Sequence, residues 1–496
     1  MKRHPFLVPL LVAILSTLAA VPLSAEMQEA KQARTVRLEE AIQEALDNNH
    51  RRPASRFAVA MAEARHRQAL AAYWPQLSAH GGWQHLDEPP NFIVPTASYT
   101  IPAQSIPLPP GTSITLNTPA GPQPATRLAV PEQQITTPHQ DLILRDEDSI
   151  LASLQAQWLL YDGGRRKGYY EQARANLDTM RQKARRTDLE IIDSVKRYYY
   201  GAVLARQLHQ VGVDTLARME VTLNITENMY KEGSGQVKKT DWLGTKVMVE
   251  SLRSMVALLE KNEGMAQAAL ASVMGLPWNA SVRPMDDAIP LEPFVVPLED
   301  LVSATYQFSP DWARIEAGIR AAKGAVRTAK SGHLPKVALT GELHKWWNNG
   351  NTGSATDTNK EGWSVGVGVD IPLFDGFLTS ARLSESRARM ARLKEQKILL
   401  KEGLGLQVRD IFLSMAAAAK AQRATRAAME ASIDNRDLNT RAYQHGLVQT
   451  EDVTQAQLVE SFMSAQYYKT RFDHIALLSQ LDLTVGTAVL DVLGGK

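Results

Sequence analysis

The feature that most constrains this chain is a proline-free stretch from Asp375 to Gly486, which carries a helical pattern with one break at Gly446. Before the break, apolar side chains recur at alternating spacings of four and three residues, the pattern of a coiled-coil seam. These side chains are Leu404, Val408, Ile411 and Met415. At about 1.5 Å per residue, a helix from Phe377 to Gln444 would be roughly 100 Å long. Because the average globular helix has only about eleven or twelve residues, such a helix does not fit a compact domain.

A second copy of this pattern lies upstream. Three landmarks correspond when 213 is added to their numbers: Asp162, Tyr230 and Gly233 become Asp375, Tyr443 and Gly446. The seam carries over from Ile191, Val195, Tyr198 and Ala202. After the glycine the offset falls to 211, which relates Asp241 and Gly275 to Asp452 and Gly486. We therefore predict an internal duplication in which each glycine marks the tip of a helix–turn–helix hairpin.

Each copy is preceded by a shorter helical block that ends at a proline. The block from Val36 to Pro75 recurs at an offset of 260, as Val296 to Pro335. The pattern predicts two helices in each block: Leu38 to about His50 and Pro53 to Ala72, then Leu298 to Phe308 and Asp311 to Lys330.

After each proline the apolar period changes from about 3.6 to 2, which predicts β-strands. Four strands of about 9–11 residues with one apolar face are typical of a transmembrane barrel wall. The apolar positions are Leu77, Ala79, Gly81 and Trp83; Ile150, Ala152, Leu154, Ala156, Trp158 and Leu160; Val337, Leu339, Gly341 and Leu343; and Trp363, Val365, Val367, Val369, Ile371 and Leu373. Tryptophans cluster in and beside these strands, as in interfacial girdles. The alternative is a half-buried sheet in a soluble domain, where aromatic residues are also enriched.

The first 25 residues favour the membrane interpretation because they have the form of a secretory signal: Lys2 and Arg3, an apolar core from Phe6 to Val21, and Ala25 at the cleavage point. Without this segment the formal net charge falls from +2 to 0, which argues against a nucleic-acid partner. The absence of cysteine excludes disulfides, thiolate metal sites and an N-terminal lipid attachment point. No metal-spaced His/Glu set or catalytic constellation is present, so the sequence predicts no enzyme, cofactor or metal.

The two predicted β-hairpins differ in their loops. The first loop, His85 to Ser149, contains twelve of the 25 prolines, including the run IPLPPG at 106–111. We expect it to be exposed and partly polyproline-like, with short strands as a further option. The second loop, Asn348 to Glu361, is short and polar.

Four strands cannot close a barrel alone, and an open edge in lipid leaves backbone groups unpaired at several kcal/mol each. Small barrels have about eight strands or more, so several chains would have to share one barrel. The strand count by itself admits a dimer or a trimer.

In their order and spacing, these features resemble the outer-membrane efflux protein family of TolC-like channel-tunnels. The resemblance covers nearly all of the chain after the signal. It depends on the repeat, the LEEA…P block at 38–75, the strand ends YDGG and FDG, and the tips YKEGSGQVKKTD (230–241) and YQHGLVQTED (443–452). It implies an α+β membrane protein in which three chains share a 12-stranded antiparallel β-barrel, four strands per chain, with a long α-helical coiled-coil barrel. It also implies an outer-membrane location in contact with lipid, extension into the periplasm, and docking at the tips by a periplasmic adaptor protein and an inner-membrane pump.

The resemblance also implies roles for residues at the tips. Tyr230, Asp241, Tyr443 and Asp452 match the family's gate positions. The family's usual Arg and second Asp of the second tip are replaced here by Val448 and Gln455. We therefore expect the Tyr443 hydroxyl and a basic group, Arg441 or Lys239, to bond to Asp241 across neighbouring hairpins. We expect Gly233 and Gly446 to reverse the chain with positive φ. The expected adaptor contacts are Gly233, Gly446, Leu447 and Val448.

The predicted organisation follows from the repeats. It comprises a signal peptide (1–25), helices of the first repeat (26–75), the first β-hairpin (76–161) with its Pro-rich loop (85–149), a long helical hairpin (162–276), a linker (277–297), helices of the second repeat (298–335), the second β-hairpin (336–374), a second long helical hairpin (375–487) and a tail (488–496). The expected function is a passive exit duct, gated at its tips, for a tripartite efflux pump or a type I secretion system. The competing hypotheses are a soluble periplasmic coiled-coil scaffold and an autonomous porin that conducts without partners.

Overall fold

A computed structural model describes residues 34–89, 91–143, 147–233, 235, 237–291, 294–348 and 360–493. The predicted signal peptide lies outside these residues. The chain divides into two compact units. The strand unit comprises Phe57–Lys183 and Asp311–Leu400, and the helical unit comprises the described parts of Met1–Arg56, Ala184–Pro310 and Lys401–Lys496.

The helices of the two halves match in order and length. In chain order they are α1 (Leu38–Asn48), α2 (Arg51–Ala71), α3 (Arg165–Lys231), α4 (Lys239–Val273), α5 (Leu298–Phe308), α6 (Pro310–Lys330), α7 (Leu378–Gln444), α8 (Thr450–Val485) and α9 (Val489–Leu493). Helices α3 and α7 both have 67 residues, and α4 and α8 have 35 and 36. The helix predicted from Phe377 to Gln444 is thus confirmed to within one residue. Within the part of the chain that the structure describes, no helix combines the length and apolar character needed to cross a membrane.

The strands form one four-stranded sheet and several two-stranded ladders. In chain order they are β1 (Arg34–Val36), β2 (Gln76–His85), β3 (Asn91–Val94), β4 (Ala97–Ile101), β5 (Gln104–Pro107), β6 (Ile114–Thr118), β7 (Gly121–Ala125), β8 (Arg127–Val130), β9 (Gln133–Thr137), β10 (Gln140–Ile143), β11 (Asp148–Tyr161), β12 (Val282–Pro284), β13 (Lys336–Asn348) and β14 (Glu361–Asp370). The four-stranded sheet has the order β2, β11, β13, β14, and all its pairs are antiparallel.

The register of this sheet gathers the four predicted apolar faces on one side. Leu154 lies opposite Ala79 on one neighbour and Leu343 on the other, and Leu343 lies opposite Trp363. The alternate positions are polar, because Gln155 lies opposite both Ser78 and Glu342. The apolar face is exposed in the chain, with Val367 at 64%. The sheet is therefore amphipathic across all four strands.

The Pro-rich segment is a regular ribbon rather than a loop. Its ladders are nested: β3 pairs with β10, β4 with β9, β5 with β8, and β6 with β7. The ribbon closes between Thr118 and Gly121, where the Thr118 hydroxyl donates to the Gly121 carbonyl at 2.8 Å. Pro122 and Pro124 are two residues apart, so both can take pair positions whose nitrogen points away from the partner strand.

In the strand unit the helices follow the order of the strands that they continue. Ion pairs join Glu63 of α2 to Arg181 of α3 at 3.0 Å, Asp178 of α3 to Arg320 of α6 at 3.0 Å, and Glu316 of α6 to Lys397 of α7 at 2.8 Å. The helix order is therefore α2, α3, α6, α7, beside the strand order β2, β11, β13, β14. This matching order makes one layer of strands and helices.

The turns from strand to helix explain the YDGG and FDG signals. The Asp162 carboxylate accepts from the backbone N–H groups of Gly164 and Arg166, at 3.0 and 2.7 Å, at the start of α3. The Asp375 carboxylate accepts from the N–H of Thr379, at 2.9 Å, at the start of α7. The Thr379 hydroxyl also donates to Asp375, which lowers the pKa of that carboxyl. Each aspartate thus satisfies helix N-terminal donors that would otherwise be free.

The helical unit contains two apolar cores, one in each half. The first packs α1 against α3 and α4 around Val195, and the second packs α5 against α7 and α8 around Val408. The seam positions Leu404, Val408, Ile411 and Met415 are all buried, as predicted.

The seam predicted in the first half is wrong at one position. Tyr198 is 48% exposed, whereas Tyr199 is fully buried. The buried seam residue after Val195 is Tyr199, four residues later, instead of Tyr198, three residues later. The Tyr199 hydroxyl has polar partners in the interior of the helical unit. It donates to the Asp286 carboxylate at 3.0 Å and lies 3.3 Å from the Val36 carbonyl. A buried phenol needs such a partner, and this one is supplied by the linker.

Candidate functional site

The second tip is formed by a glycine-terminated helix end. Gly446 has a φ of 70°. Its N–H donates to the Tyr443 carbonyl at 2.9 Å, and the Leu447 N–H donates to the Ala442 carbonyl at 2.9 Å. This pair of bonds is a Schellman motif, in which the left-handed residue satisfies the last carbonyls of the helix. Leu447 is left 76% exposed beside it.

The first tip has the same reversal. Gly233 has a φ of 68°, and its N–H donates to the Tyr230 carbonyl at 3.2 Å. The expected positive φ is therefore confirmed at both glycines. The first-repeat counterpart of Leu447 is Ser234, which lies outside the described residues. Adaptor contact at Gly233, Gly446, Leu447 and Val448 stays a prediction.

The two tip aspartates have one local role in common. The Asp241 carboxylate accepts from the Lys238 N–H at 2.9 Å, at the start of α4. The Asp452 carboxylate accepts from the Gln449 N–H, also at 2.9 Å, at the start of α8. Both close a capping box and place negative charge at a helix N-terminus, which is stabilising. The offset of 211 between these residues thus reflects equivalent capping positions.

The two tip tyrosines differ. Tyr443 is buried, and its hydroxyl lies 2.9 Å from both the Thr226 hydroxyl and the Thr450 hydroxyl. It therefore links α7 to α3 and to the start of α8. Tyr230 instead stacks on Trp242, with ring centroids 5.5 Å apart.

The basic candidates Lys239 and Arg441 are exposed and have no side-chain partner among the described residues. Within one chain, the described residues do not bring either of them, or Tyr443, onto Asp241. The predicted tie runs across neighbouring hairpins, and it stays a prediction.

A polar seam lies between α3, α7 and α8, and sequence reasoning missed it. The buried polar residues of α8 recur at spacings of three and four: Thr450, Thr454, Gln457, Glu460 and Ser464. The Gln457 amide donates to the Thr222 hydroxyl of α3 at 3.1 Å. This spacing defines a buried helical seam in which polar residues occupy the positions that are usually apolar. A search for periodic apolar residues alone does not detect it. The helices near the tips are therefore held by hydrogen bonds as well as by apolar packing.

Glu460 is the charged centre of the polar seam. Its carboxylate accepts from Arg218 of α3 at 2.6 Å and lies 3.6 Å from the Arg436 guanidinium of α7. The Ser464 hydroxyl donates to the same carboxylate at 3.2 Å. Only 8% of the Glu460 side chain is exposed. One buried carboxylate thus joins three helices.

Both units have open apolar edges. In the strand unit the edge helices α2 and α7 expose Phe57, Met61, Ile398 and Leu399, and the edge strands β2 and β14 each pair on one side only. In the helical unit, contacts order the helices α4, α3, α8, α7, as shown by His209 with Glu263, Lys196 with Asp482, and Thr425 with Thr470. Its edge helices expose Val247, Met265, Leu406 and Leu413.

In the described part of the chain, no group of three or more His, Cys, Asp or Glu side chains is placed to hold a metal ion. The side chains at the tips are capping, packing and hydrogen-bonding groups. Their arrangement holds neighbouring helices together.

The model of the outer membrane efflux protein family matches residues 135–276 and 301–481, which is more than half of the chain. Protein CyaE of Bordetella pertussis is 27% identical over 302 residues, which cover 58% of this chain and 59% of CyaE. The chain therefore matches less than two thirds of the length of that relative.

Solved structures share the fold over most of their length. A membrane protein from Pseudomonas aeruginosa is 18% identical with a TM-score of 0.71, over 90% of this chain and 93% of that one. The outer membrane protein VceC of Vibrio cholerae is 16% identical with a TM-score of 0.69, over 91% of this chain and 96% of VceC. By the match to the family model, the chain belongs to the outer membrane efflux protein family and is a protein of the outer membrane.

Proposed function

We propose that three copies of this chain form one passive exit duct that serves a tripartite efflux pump or a type I secretion system. The observation that carries this proposal is the four-stranded amphipathic sheet with both edges unpaired, continued by a helix layer of the same order. An unpaired edge in lipid costs several kcal/mol per backbone group. Strand β14 of one copy must therefore pair with β2 of the neighbouring copy.

The edge helices support the same association. Their exposed apolar side chains in both units would pack against the next copy. Two chains would give eight strands and three would give twelve. The family resemblance favours three, with a 12-stranded barrel shared by the trimer. Its outer surface would be the apolar face and its lining the polar face of the sheet. The matched element lengths of the two halves support an origin by internal duplication.

The proposed gate lies at the tips. The proposed gate residues are Tyr230, Asp241, Lys239, Arg441, Tyr443 and Asp452. In this proposal Asp241 bonds to the Tyr443 hydroxyl and to Lys239 or Arg441 of a neighbouring hairpin. The polar seam supports releasable closure, because hydrogen bonds between helices can be exchanged for water as the tips separate. A periplasmic adaptor and an inner-membrane pump would dock at the exposed Leu447 and its surroundings.

Planar-bilayer recording of the purified protein tests the duct and its gate. Asp241→Ala with Tyr443→Phe should raise single-channel conductance and admit large antibiotics to cells. Glu430→Gln is the matched control, because Glu430 pairs with Arg426 on the exposed surface of α7 and contacts neither Asp241 nor Tyr443. It should leave the conductance unchanged. Unchanged conductance and antibiotic entry in the double variant would place the gate in other residues.

Two simpler functions predict different results. A soluble scaffold should be extracted by high-salt buffer, whereas the duct requires detergent. An autonomous porin should conduct at full size without partners, whereas the duct at rest should be nearly closed.

A further inference from the structure

A basic groove lies between α3 and α6 in the strand unit. It has a cavity volume of about 680 Å³. Five basic side chains and two carboxylates line it: Lys167, Arg174, Arg320, Lys323 and Arg327, with Glu171 and Asp178. Its formal charge is therefore +3. We call it the α3–α6 groove.

The groove has fixed and free charges. Arg320 pairs with Asp178 at 3.0 Å, and Arg327 pairs with Glu171. The three remaining cations, Lys167, Arg174 and Lys323, are exposed and have no side-chain partner among the described residues. Three unpaired cations beside two paired guanidinium groups give the groove an excess of positive charge, which attracts oxyanions, and Arg presents a planar fork that matches phosphate.

Two glycines bring the backbones of α3 and α6 close together. A Cβ on Gly168 of α3 would lie 2.7 Å from the Gly324 carbonyl of α6, and a Cβ on Gly324 would lie 2.8 Å from the Gly168 carbonyl. A Cβ on Gly168 would also clash with the Thr328 hydroxyl of α6, so the two helices pack this closely only with glycine at these positions. This geometry is built into α3 and α6 and does not depend on a mobile loop.

The groove opens on the same side as the apolar face of the sheet. A second cavity, of about 660 Å³, is lined by Lys336 and Pro372, which alternate with the apolar Val337 and Ile371, and by Arg165 of α3. That cavity therefore lies on the side of the polar face. At about 100° per residue, Lys167 and Arg174 lie roughly 180–200° around α3 from Arg165. The α3–α6 groove thus faces the side that the sheet presents to lipid.

The upper end of the groove also lies at the height of lipid head groups. Helix α3 begins at Arg165, just after β11 ends at Tyr161. At about 1.5 Å per residue, Lys167 is roughly 3 Å and Arg174 roughly 14 Å below that start. The head-group layer is about 5–8 Å thick on each side, and basic side chains reach several ångströms along a helix.

We propose that the α3–α6 groove binds the phosphate head group of an anionic phospholipid in the periplasmic leaflet of the outer membrane. The proposal rests on the membrane-embedded sheet proposed above. The bound lipid would brace the junction between strands and helices from outside the duct. The groove lies between the two middle helices of the layer, so the edges proposed to meet neighbouring copies leave it accessible.

Native mass spectrometry of the full-length detergent-purified protein, titrated with phosphatidylglycerol or phosphatidylcholine, tests this site. The variant Lys167→Gln, Arg174→Gln, Lys323→Gln removes the three free charges. The matched control Arg165→Gln, Arg382→Gln, Arg389→Gln removes three charges from the other side, because Arg165 and Arg382 line the opposite cavity and Arg389 follows Arg382 by two helical turns. Each basic group near an anionic surface contributes about fivefold, so the groove variant should bind phosphatidylglycerol on the order of 100-fold more weakly. The control should bind within about threefold of the native protein by the same scale.

Equal binding by the groove variant, or equal losses in both variants, would overturn the lipid site. Displacement of phosphatidylglycerol by millimolar inorganic phosphate would also overturn it, because the groove would then take free phosphate. If the triple variant fails to assemble, Lys167→Gln with Lys323→Gln provides the same comparison. Conductance in planar bilayers is recorded in parallel. A protein that conducts but shows no preference for phosphatidylglycerol would refute the lipid site without refuting the proposed duct.

Discussion

Replacing Glu460 with Gln should loosen the helices below the tips. The substitution keeps the size of the side chain but removes the negative charge that faces Arg218 and Arg436. Breaking a buried ion pair costs about 3–5 kcal/mol, because the remaining charge stays buried. Arg218 keeps 32% of its side chain exposed, so water would offset part of this cost. We expect a loss of about 2–3 kcal/mol.

Thermal unfolding followed by circular dichroism measures this loss. At about 2–4 °C per kcal/mol for a unit of this size, Glu460→Gln should lower the midpoint by roughly 4–12 °C. Single-channel conductance should rise in the same preparation, because α8 would separate more readily from α3 and α7.

Glu430→Gln is the matched control for this experiment. Glu430 pairs with Arg426 on the surface of α7 at 3.0 Å, and both side chains are more than half exposed. Such pairs contribute about 0–1 kcal/mol, so the control should change little. If the two variants unfold at the same temperature and conduct alike, the buried carboxylate does not hold these helices.

Three further predictions concern other parts of the molecule. Val367→Asp places a charge on the apolar face and should block assembly, at a cost below that of Arg or Lys at mid-membrane, which is about 2–4 kcal/mol. Ser364→Asp, on the polar face of the same strand, should assemble. Gel filtration in detergent distinguishes the two variants, and normal assembly of both would refute the assigned faces. Gly446→Val should abolish export without preventing assembly, since a β-branched residue is strained at a φ of 70°, whereas Gly446→Asn should retain export. Full export by the valine variant would contradict the proposed docking role. Burial, together with the hydrogen bond to Asp286, raises the pKa of Tyr199 above its ordinary value of 10.0, so its contribution is complete below pH 10 and is lost as the pH rises further. Tyr199→Phe should therefore cost about 1–2 kcal/mol at neutral pH and progressively less in alkaline denaturation titrations, and a gap that is constant with pH would refute this reasoning.

The long helices and the strand faces could be predicted from sequence because both follow from periodicity. The absence of proline and the coiled-coil spacing place α7 to within one residue. Alternation over eight or more residues assigns Leu154, Leu343 and Trp363 to the apolar faces of their strands, and the register places all three on one side of the sheet. These signals are local, and tertiary contacts do not reverse them.

Features that depend on distant partners could not be predicted in the same way. Tyr198 and Tyr199 are adjacent aromatic residues, and only the position of Asp286 in the linker decides which one turns inward. Glu460 appears on α8 as an ordinary helical carboxylate, and its burial depends on Arg218, which lies 242 residues earlier in the chain. The twelve prolines of the Pro-rich segment predict mainly loop, because proline disfavours central strands, yet a two-stranded ribbon consists only of edge strands.

The nested ladders of that ribbon bear on how the chain folds. Without them, pairing His85 of β2 with Asp148 of β11 would require closing the whole intervening segment in one step, at an entropy cost that grows with its length. The turn between Thr118 and Gly121 is instead a local closure, and each completed ladder brings the next pair of segments within reach. Local closures of this kind are fast compared with long-range strand pairing. Strand pairing in the first hairpin can therefore begin at the turn of the ribbon and proceed toward the four-stranded sheet. The long segment between β2 and β11 then need not slow the formation of that sheet.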